Sequence, residues 1–244
     1  MHEVIIIVPC YNESKRIETD KFREFSKSHA GISFMLVNDG STDRTLDKLH
    51  DLAEFDVNHF MVLDLPRNSG KAEAVRAGTA RSLELGPKYV GIWDADLATP
   101  LTEIPRFVHL MEQKPEVLMV FGARVKLMGR TIVRPAARHY LGRISATLIS
   151  VTLGLPIYDT QCGAKMFRVN DDLQALFGEQ FLSSWIFDVE IVARLISRYN
   201  GKLPEDSIYE LPLNEWIHKS GSKIKPMDYL LALRELLLIR QKYL

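Results

Sequence analysis

Apolar and polar positions come in alternating blocks along the first half of the chain. Residues 4–8 are β-branched and apolar throughout, the pattern of a strand buried on both faces in a parallel sheet. The run stops in a polar loop, Pro9-Cys10-Tyr11-Asn12-Glu13-Ser14, where Asn12 or Ser14 can cap a helix reaching about residue 29. A second strand over 32–37 ends in Asn38-Asp39-Gly40-Ser41-Thr42-Asp43 and is followed by a helix over about 42–54. A third strand, 60–63, leads through Pro66-Arg67-Asn68-Ser69-Gly70-Lys71 to a helix over 72–85. Apolar runs at 89–93 and 117–122 give a fourth and a fifth strand. Strand alternating with helix predicts an α/β fold: a doubly wound, mostly parallel, Rossmann-like sheet flanked by helices, with right-handed crossovers. Ligands bind such sheets outside the carboxyl ends of the strands, where Tyr11, Glu13, Asp39 and the acids after the fourth strand lie.

The second half reads differently and predicts a helical C-terminal portion. The segment 144–153 is apolar but too short to span a bilayer, and it follows a basic stretch. It suits either an interfacial element on anionic lipid or a core helix. In 227–244 the polar residues Asp228, Arg234, Glu235, Gln241 and Lys242 form a narrow stripe on a Leu-rich helix. That helix is buried, pairs with a partner, or lies in a membrane.

The fourth strand carries the candidate chemistry. It ends in Trp93-Asp94-Ala95-Asp96, and in extended backbone residues i and i+2 share a side, so Asp94 and Asp96 can face one point. Two hard oxygen ligands suit Mg²⁺ or Mn²⁺, which take few carboxylates and let substrate phosphates complete the shell. A solvated turn with two acids is the bland alternative. No G-x-G-x-x-G follows the first strand, which removes the usual dinucleotide cradle. Gly70-Lys71 lacks the upstream glycine of a Walker A loop, and Ala72 replaces its Ser or Thr.

Composition narrows the class further. The 244 residues are 46% hydrophobic and 25% charged with zero formal net charge, which argues against a general nucleic-acid binder. Two cysteines, Cys10 and Cys162, fit a reducing compartment. The opening Met1-His2-Glu3 and a five-residue apolar run make a poor secretory signal, so the Asn12-Glu13-Ser14 sequon is discounted and a cytoplasmic location is expected. No apolar run reaches roughly 18 residues, so no spanning helix is expected.

Four motifs in order, Val8-Pro9-Cys10-Tyr11-Asn12-Glu13, Val37-Asn38-Asp39-Gly40-Ser41-Thr42-Asp43, Asn68-Ser69-Gly70-Lys71 and Asp94-Ala95-Asp96, resemble the family 2 glycosyltransferases of GT-A fold. The resemblance continues through Asp159-Thr160-Gln161-Cys162-Gly163, Trp185-Ile186-Phe187-Asp188-Val189-Glu190 and Ser220-Gly221-Ser222-Lys223. This second set looks most like the polyprenyl-phosphate branch, the dolichyl-phosphate β-glucosyltransferases first and the dolichol-phosphate mannose synthases second. The resemblance implies one GT-A domain over 1–244, with a nucleotide-sugar half (1–122) and an acceptor half (123–244). It implies that Pro9, Tyr11, Asn12 and Glu13 line the base and ribose pocket, that Asp39 binds base or ribose, and that Gly70, Lys71 and Ala95 lie near the nucleotide. Asp94 and Asp96 would hold the metal on the diphosphate of UDP-glucose or GDP-mannose. The mannose synthases often place Gln two residues after the second Asp, where this chain has Ala98, so a third side-chain metal ligand is not expected.

The acceptor side rests on charge. Residues 117–158 contain no Asp or Glu but do contain Arg124, Lys126, Arg130, Arg134, Arg138 and Arg143. Such a run is an anion-binding surface, and Arg meets phosphate bidentately. No aromatic ladder accompanies it for stacking nucleic-acid bases. Arg124 and Arg138 resemble the acceptor-phosphate positions of the mannose synthases, and Lys165, Arg168, Ser222 and Lys223 are further candidates. The expected acceptor is a polyprenyl phosphate, met by a peripheral enzyme at the cytoplasmic face of a membrane. Asp188 opens a helix through 198 among large apolar residues. It is an N-terminal capping acid, a group orienting the donor sugar or a basic side chain, or the general base if the acceptor is a saccharide hydroxyl. Two rivals outside this class fare worse. A nucleotidyltransferase should show a Gly-rich phosphate loop, and a binding-only module has little use for Asp94 and Asp96.

Overall fold

The computed structural model describes the backbone of residues 2–133, 136–219 and 226–244, and the side chains of the same residues apart from 136–141 and 226–230. Its strands are β1 (Val4–Cys10), β2 (Ile32–Asp39), β3 (Phe60–Leu65), β4 (Tyr89–Ile92), β5 (Met119–Ala123), β6 (Thr131–Val133), β7 (Lys165–Arg168), β8 (Ile208–Pro212) and β9 (Glu215–Ile217). Seven of these form one sheet in the order β3-β2-β1-β4-β7-β5-β8, and β6 pairs with β9 in a separate ribbon. Within the sheet β7 is antiparallel to both neighbours, and the other pairs are parallel. The helices are α1 (Thr19–Ser28), α2 (Thr45–Phe55), α3 (Lys71–Leu83), α4 (Ile104–Gln113), α5 (Ala136–Leu153), α6 (Asp171–Gly178), α7 (Phe187–Arg198) and α8 (Pro226–Tyr243).

Pleating sorts β1 onto two cores. Val4, Ile6 and Val8 face α1, α2 and α4 through Phe22, Leu49 and Phe107, whereas Ile5 and Ile7 face α3 and α7 through Val75 and Ile191. A strand buried on both sides must be apolar at every position, as its sequence is.

The expected helix starts were too early. Ser14 and Asn12 do not cap α1, because both are committed across the sheet to the loop after β2. Asn12, at φ 52°, accepts from Thr42 N at 2.9 Å, and Ser14 Oγ donates to Asp43 at 2.6 Å. α1 therefore begins only at Thr19. Asp43 also accepts from Thr45 N at 3.0 Å, which delays α2 to Thr45. Desolvation of Asp43 would raise its pKa, but the hydrogen bonds from Ser14 and Thr45 outweigh it and hold the carboxyl at about 2. Sequence periodicity also missed α4 in the first half and α6, β7, β8 and the β6–β9 ribbon in the second, all short or amphipathic elements.

One glycine lets the loops nest. Gly40 sits at φ +61°, and a Cβ there would lie 2.3 Å from the Arg67 carbonyl carbon. Gly40→Ala combines left-handed strain with a backbone clash and should lower unfolding stability by about 2–4 kcal/mol. Urea denaturation measures it, and a loss below about 0.5 kcal/mol would show that the two loops separate freely.

Candidate active site

β1 pairs with β2 on one side and β4 on the other, so the sheet's winding reverses between β1 and β4. A crevice opens at that point beyond the carboxyl ends. The loop after β1 supplies Glu13 and Arg16, and the turn after β4 supplies Asp94 and Asp96. That turn is shaped by Leu97 at φ 51° and by Asp96 Oδ1, which accepts from Ala98 N at 3.1 Å. Buried Trp93 pins it from behind, donating from Nε1 to Thr99 O at 3.0 Å.

The acids of the crevice are met by cations. Lys71 Nζ, at the start of α3, donates to Asp94 Oδ1 at 2.6 Å. Arg16 donates from Nη2 to Asp96 Oδ2 and from Nη1 to Glu13 Oε1, the latter at 3.1 Å. Asp188, in the first turn of α7, lies 2.9 Å from Lys165 Nζ. Because β7 is antiparallel, Lys165 pairs with Ile92 and comes in beside the acidic turn. The same reversal sets Gly163 against Asp94, where a Cβ would stand 1.8 Å from Asp94 Oδ2.

Burial opposes charge on Asp94, but the Lys71 ammonium, with Lys165 and Arg124 behind it, wins and lowers its pKa. Burial first, then the Asp94 charge, pushes Asp96 up. Burial also raises Asp188 against the pull of Lys165 and Lys71.

These groups floor a cleft of about 590 Å³. Lys71, Arg16, Asp94, Asp96, Asp188 and Arg124 are on its wall, and so are apolar side chains of α5 (Ile144, Leu148, Ile149) and α8 (Leu233, Leu236). The remaining nucleotide candidates, Pro9, Tyr11, Asn12, Glu13, Asp39, Gly70 and Ala95, are not on that wall. They belong to the surrounding strand ends, loops and helix start. Asp39 accepts from Ser69 N at 2.7 Å and Gly70 N at 2.9 Å, so its carboxylate ties the loop before α3 to β2.

The acceptor candidates divide. Arg124 is committed to Asp159 through Nε at 2.6 Å and Nη2 at 2.7 Å, which raises its pKa further. Lys165 is buried at 2% exposure and also donates to Cys162 O, so its ammonium faces the carboxylate of Asp188 and not an incoming phosphate. Arg168 lies at the opposite end of antiparallel β7, donating to Met111 O at 2.6 Å, and is remote from the crevice. Arg130 clamps the carbonyls of Pro212 and Leu213. Arg143 does reach the cleft, stacked 3.9 Å over the Tyr158 ring. Side chains of Arg138, Ser222 and Lys223, and all of Arg134 and Gly221, lie outside the described residues.

Asp94 and Asp96 fit a hard divalent cation that borrows further oxygens from its substrate. Among the described residues no group of three or more His, Cys, Asp or Glu could hold a metal alone. Sequence reasoning missed three contributors. Arg16 reads as one cation in a mixed loop, Gly163 acts through what it lacks, and Glu235 acts at a distance of 50 residues. Glu235, on α8, accepts from Trp185 N at 3.3 Å and Ile186 N at 3.2 Å, and so braces the entry to α7 on which Asp188 sits.

Comparison with known proteins gives the family and the fold. The family model for glycosyl transferase family 2 matches residues 5–174. A dolichyl-phosphate beta-glucosyltransferase of Trichomonas vaginalis is 32% identical over 234 residues, covering 91% of this chain and 68% of that one. The dolichyl-phosphate beta-glucosyltransferase of Saccharomyces cerevisiae is 29% identical over 98% of this chain and 74% of its own length. Among solved structures, glucosyl-3-phosphoglycerate synthase from Mycobacterium tuberculosis, in complex with Mn²⁺, UDP-glucose and phosphoglyceric acid, superposes with a TM-score of 0.69. It covers 98% of this chain and 80% of that one at 18% identity, a likeness of fold. With the family model spanning most of the sheet and a relative sharing about a third of its residues, the chain belongs to glycosyl transferase family 2 and is a glycosyltransferase of GT-A fold.

Proposed function

We propose that this glycosyltransferase moves a hexose from a nucleotide sugar to a polyprenyl phosphate, with inversion at the anomeric carbon. The observation that carries this is the cleft itself, charged on its floor and apolar along α5 and α8. An acceptor with an anionic head and a hydrocarbon tail matches both surfaces at once. The relatives' names point the same way, since they act on dolichyl phosphate and, in Rhizobium johnstonii, on dodecaprenyl phosphate. Those names favour glucose as the sugar, and the donor is UDP-glucose in preference to GDP-mannose.

A phosphate monoester is largely ionised at neutral pH and attacks without a base. Its oxygen bonds to the anomeric carbon as the bond to the leaving diphosphate breaks. Asp94 and Asp96 would hold Mg²⁺ or Mn²⁺, which when bound supplies Lewis-acid stabilisation of the charge developing on that leaving group. Lys71 and Arg16 stand where the same charge collects. Asp188, fixed by Lys165 at 2.9 Å, orients the sugar or the acceptor. A second reading, transfer to a saccharide hydroxyl with Asp188 as general base, draws on the same cleft-wall position. The ammonium held against that carboxylate favours the first.

The outer faces of α5 and α8 suit a lipid surface. Val151 on α5 and Leu237 on α8 are exposed away from the cleft, beside Ile144, Leu148 and Leu233, which are exposed within it. No helix of the described residues is long and apolar enough to cross a membrane. Peripheral attachment at the cytoplasmic face would bring the cleft to the lipid phosphate.

Four experiments test this. Radiolabel from UDP-glucose should enter the lipid phase only when a short polyprenyl phosphate and Mg²⁺ or Mn²⁺ are both present. Asp96→Ala should cut that transfer by about 10²-fold or more, and full activity in it would remove the metal assignment. Label reaching a saccharide and never the lipid would establish the second reading. Leu148→Glu should raise the KM for the lipid about tenfold or more while donor affinity stays unchanged. Gly163→Ala should push the Asp94 carboxylate aside and lower kcat by about 10²-fold, with stability nearly intact. An unaltered kcat would show that Asp94 need not occupy its observed position.

A further inference from the structure

Arg16 reaches in two directions. Through Nη1 it holds Glu13, in the loop after β1, at 3.1 Å, and through Nη2 it holds Asp96, in the turn after β4. Its guanidinium therefore bridges the crevice at the point where the sheet's winding reverses. It lines the cleft, yet its Nε is buried and has no hydrogen-bond partner among the described residues. A buried guanidinium N–H left unmet is costly unless a ligand oxygen completes it. Oxygen is also what the substrate proposed above brings, in the form of a diphosphate.

The charges show when that oxygen can arrive. Lys71 covers Asp94 and Arg16 covers Asp96, while Arg16 is shared with Glu13. A divalent cation entering alone would displace Lys71 from Asp94 and Arg16 from Asp96, and would add two positive charges to the cluster. A diphosphate entering alone would meet two carboxylates. The two together carry equal and opposite charge and leave the balance of the cluster as it was.

We propose that Arg16 is a placeholder cation: it occupies Asp96 until a divalent metal takes that carboxylate, and its freed guanidinium then turns onto the diphosphate of the nucleotide. Arg16 thus couples metal binding to nucleotide binding. The coupling is reciprocal, so nucleotide tightens metal by the factor with which metal tightens nucleotide. Lys71 neutralises Asp94 in the same way but, 43% exposed, makes no second contact to the loop after β1. The proposal rests on the nucleotide-sugar reading of this site.

The test is Mn²⁺ binding by the full chain, followed by calorimetry or by the electron paramagnetic resonance of free Mn²⁺, without nucleotide and with saturating UDP, and repeated with GDP. In the unmutated chain the nucleotide should tighten Mn²⁺ by about tenfold or more. Arg16→Gln should bind Mn²⁺ alone several-fold more tightly, because a carboxylate is released. The enhancement by UDP should fall by about tenfold, within the range typical of such couplings. Arg16→Lys, which keeps the charge and loses the fork, should recover part of the enhancement. Circular dichroism and a melting curve show whether each variant is folded. A folded Arg16→Gln that binds Mn²⁺ with unchanged affinity and unchanged UDP enhancement overturns the placeholder role and leaves the nucleotide-sugar reading standing. An unmutated chain whose Mn²⁺ binding responds to neither UDP nor GDP overturns both.

Discussion

Negative charge gathered at the carboxyl ends of β1 and β4 is the constraint around which this molecule is arranged. Asp94, Asp96 and Asp188 converge on one cleft, and removing a carboxylate from water without a partner costs several kcal/mol. Three cations from three different places meet the demand: Lys71 from the start of α3, Arg16 from the loop after β1, and Lys165 from β7. Two of these pairs are open to exchange, since Asp94 and Asp96 share their cations with the cleft. The third is sealed, with Lys165 and Asp188 both buried. The difference divides the labour. The open pairs can trade partners with incoming ligands, whereas the sealed pair fixes a wall.

The one reversed strand is what makes the sealed pair possible. A seventh parallel strand would carry its Lys165 end away from the acidic turn. Antiparallel β7 sets Lys165 opposite Ile92 and brings Gly163, immediately before the strand, against Asp94. The segment Gln161-Cys162-Gly163 thus enters the site through chain direction. Its glycine works by vacancy, leaving the volume that the Asp94 carboxylate fills.

The legible parts of the sequence were those governed by local rules. β1 and β4 lack charged residues because both faces are buried, and that pattern, with the apolar runs of β2 and β3, announced the sheet and the crevice beyond it. Asp94 and Asp96 were legible because i and i+2 share a side at a strand end. The rest depended on distant partners. Asn12 and Ser14 look like helix caps, and only the fold shows them committed to Thr42 and Asp43. The arginine run from 124 to 143 reads as one anion surface, yet Arg124 serves Asp159 and Arg130 serves two carbonyls of the chain's own backbone. Lys165 looked free for a phosphate because nothing local marks it as buried.

The Leu-rich helix α8 shows how the two halves depend on one another. Its narrow polar stripe contains Glu235, whose carboxylate accepts from Ser184, Trp185 and Ile186 N–H groups at the entry to α7. Those donors precede the first turn of α7, which has no side-chain cap of its own, so Glu235 supplies the negative charge that a helix start favours. On its apolar side Leu236 and Ile239 are buried, while Leu233 faces the cleft and Leu237 faces outward. One helix therefore braces Asp188 through its polar stripe and builds the apolar wall through its leucines. Any displacement of α8 would be felt at the entry to α7 through Glu235, whose bonds to Trp185 and Ile186 end two residues before Asp188.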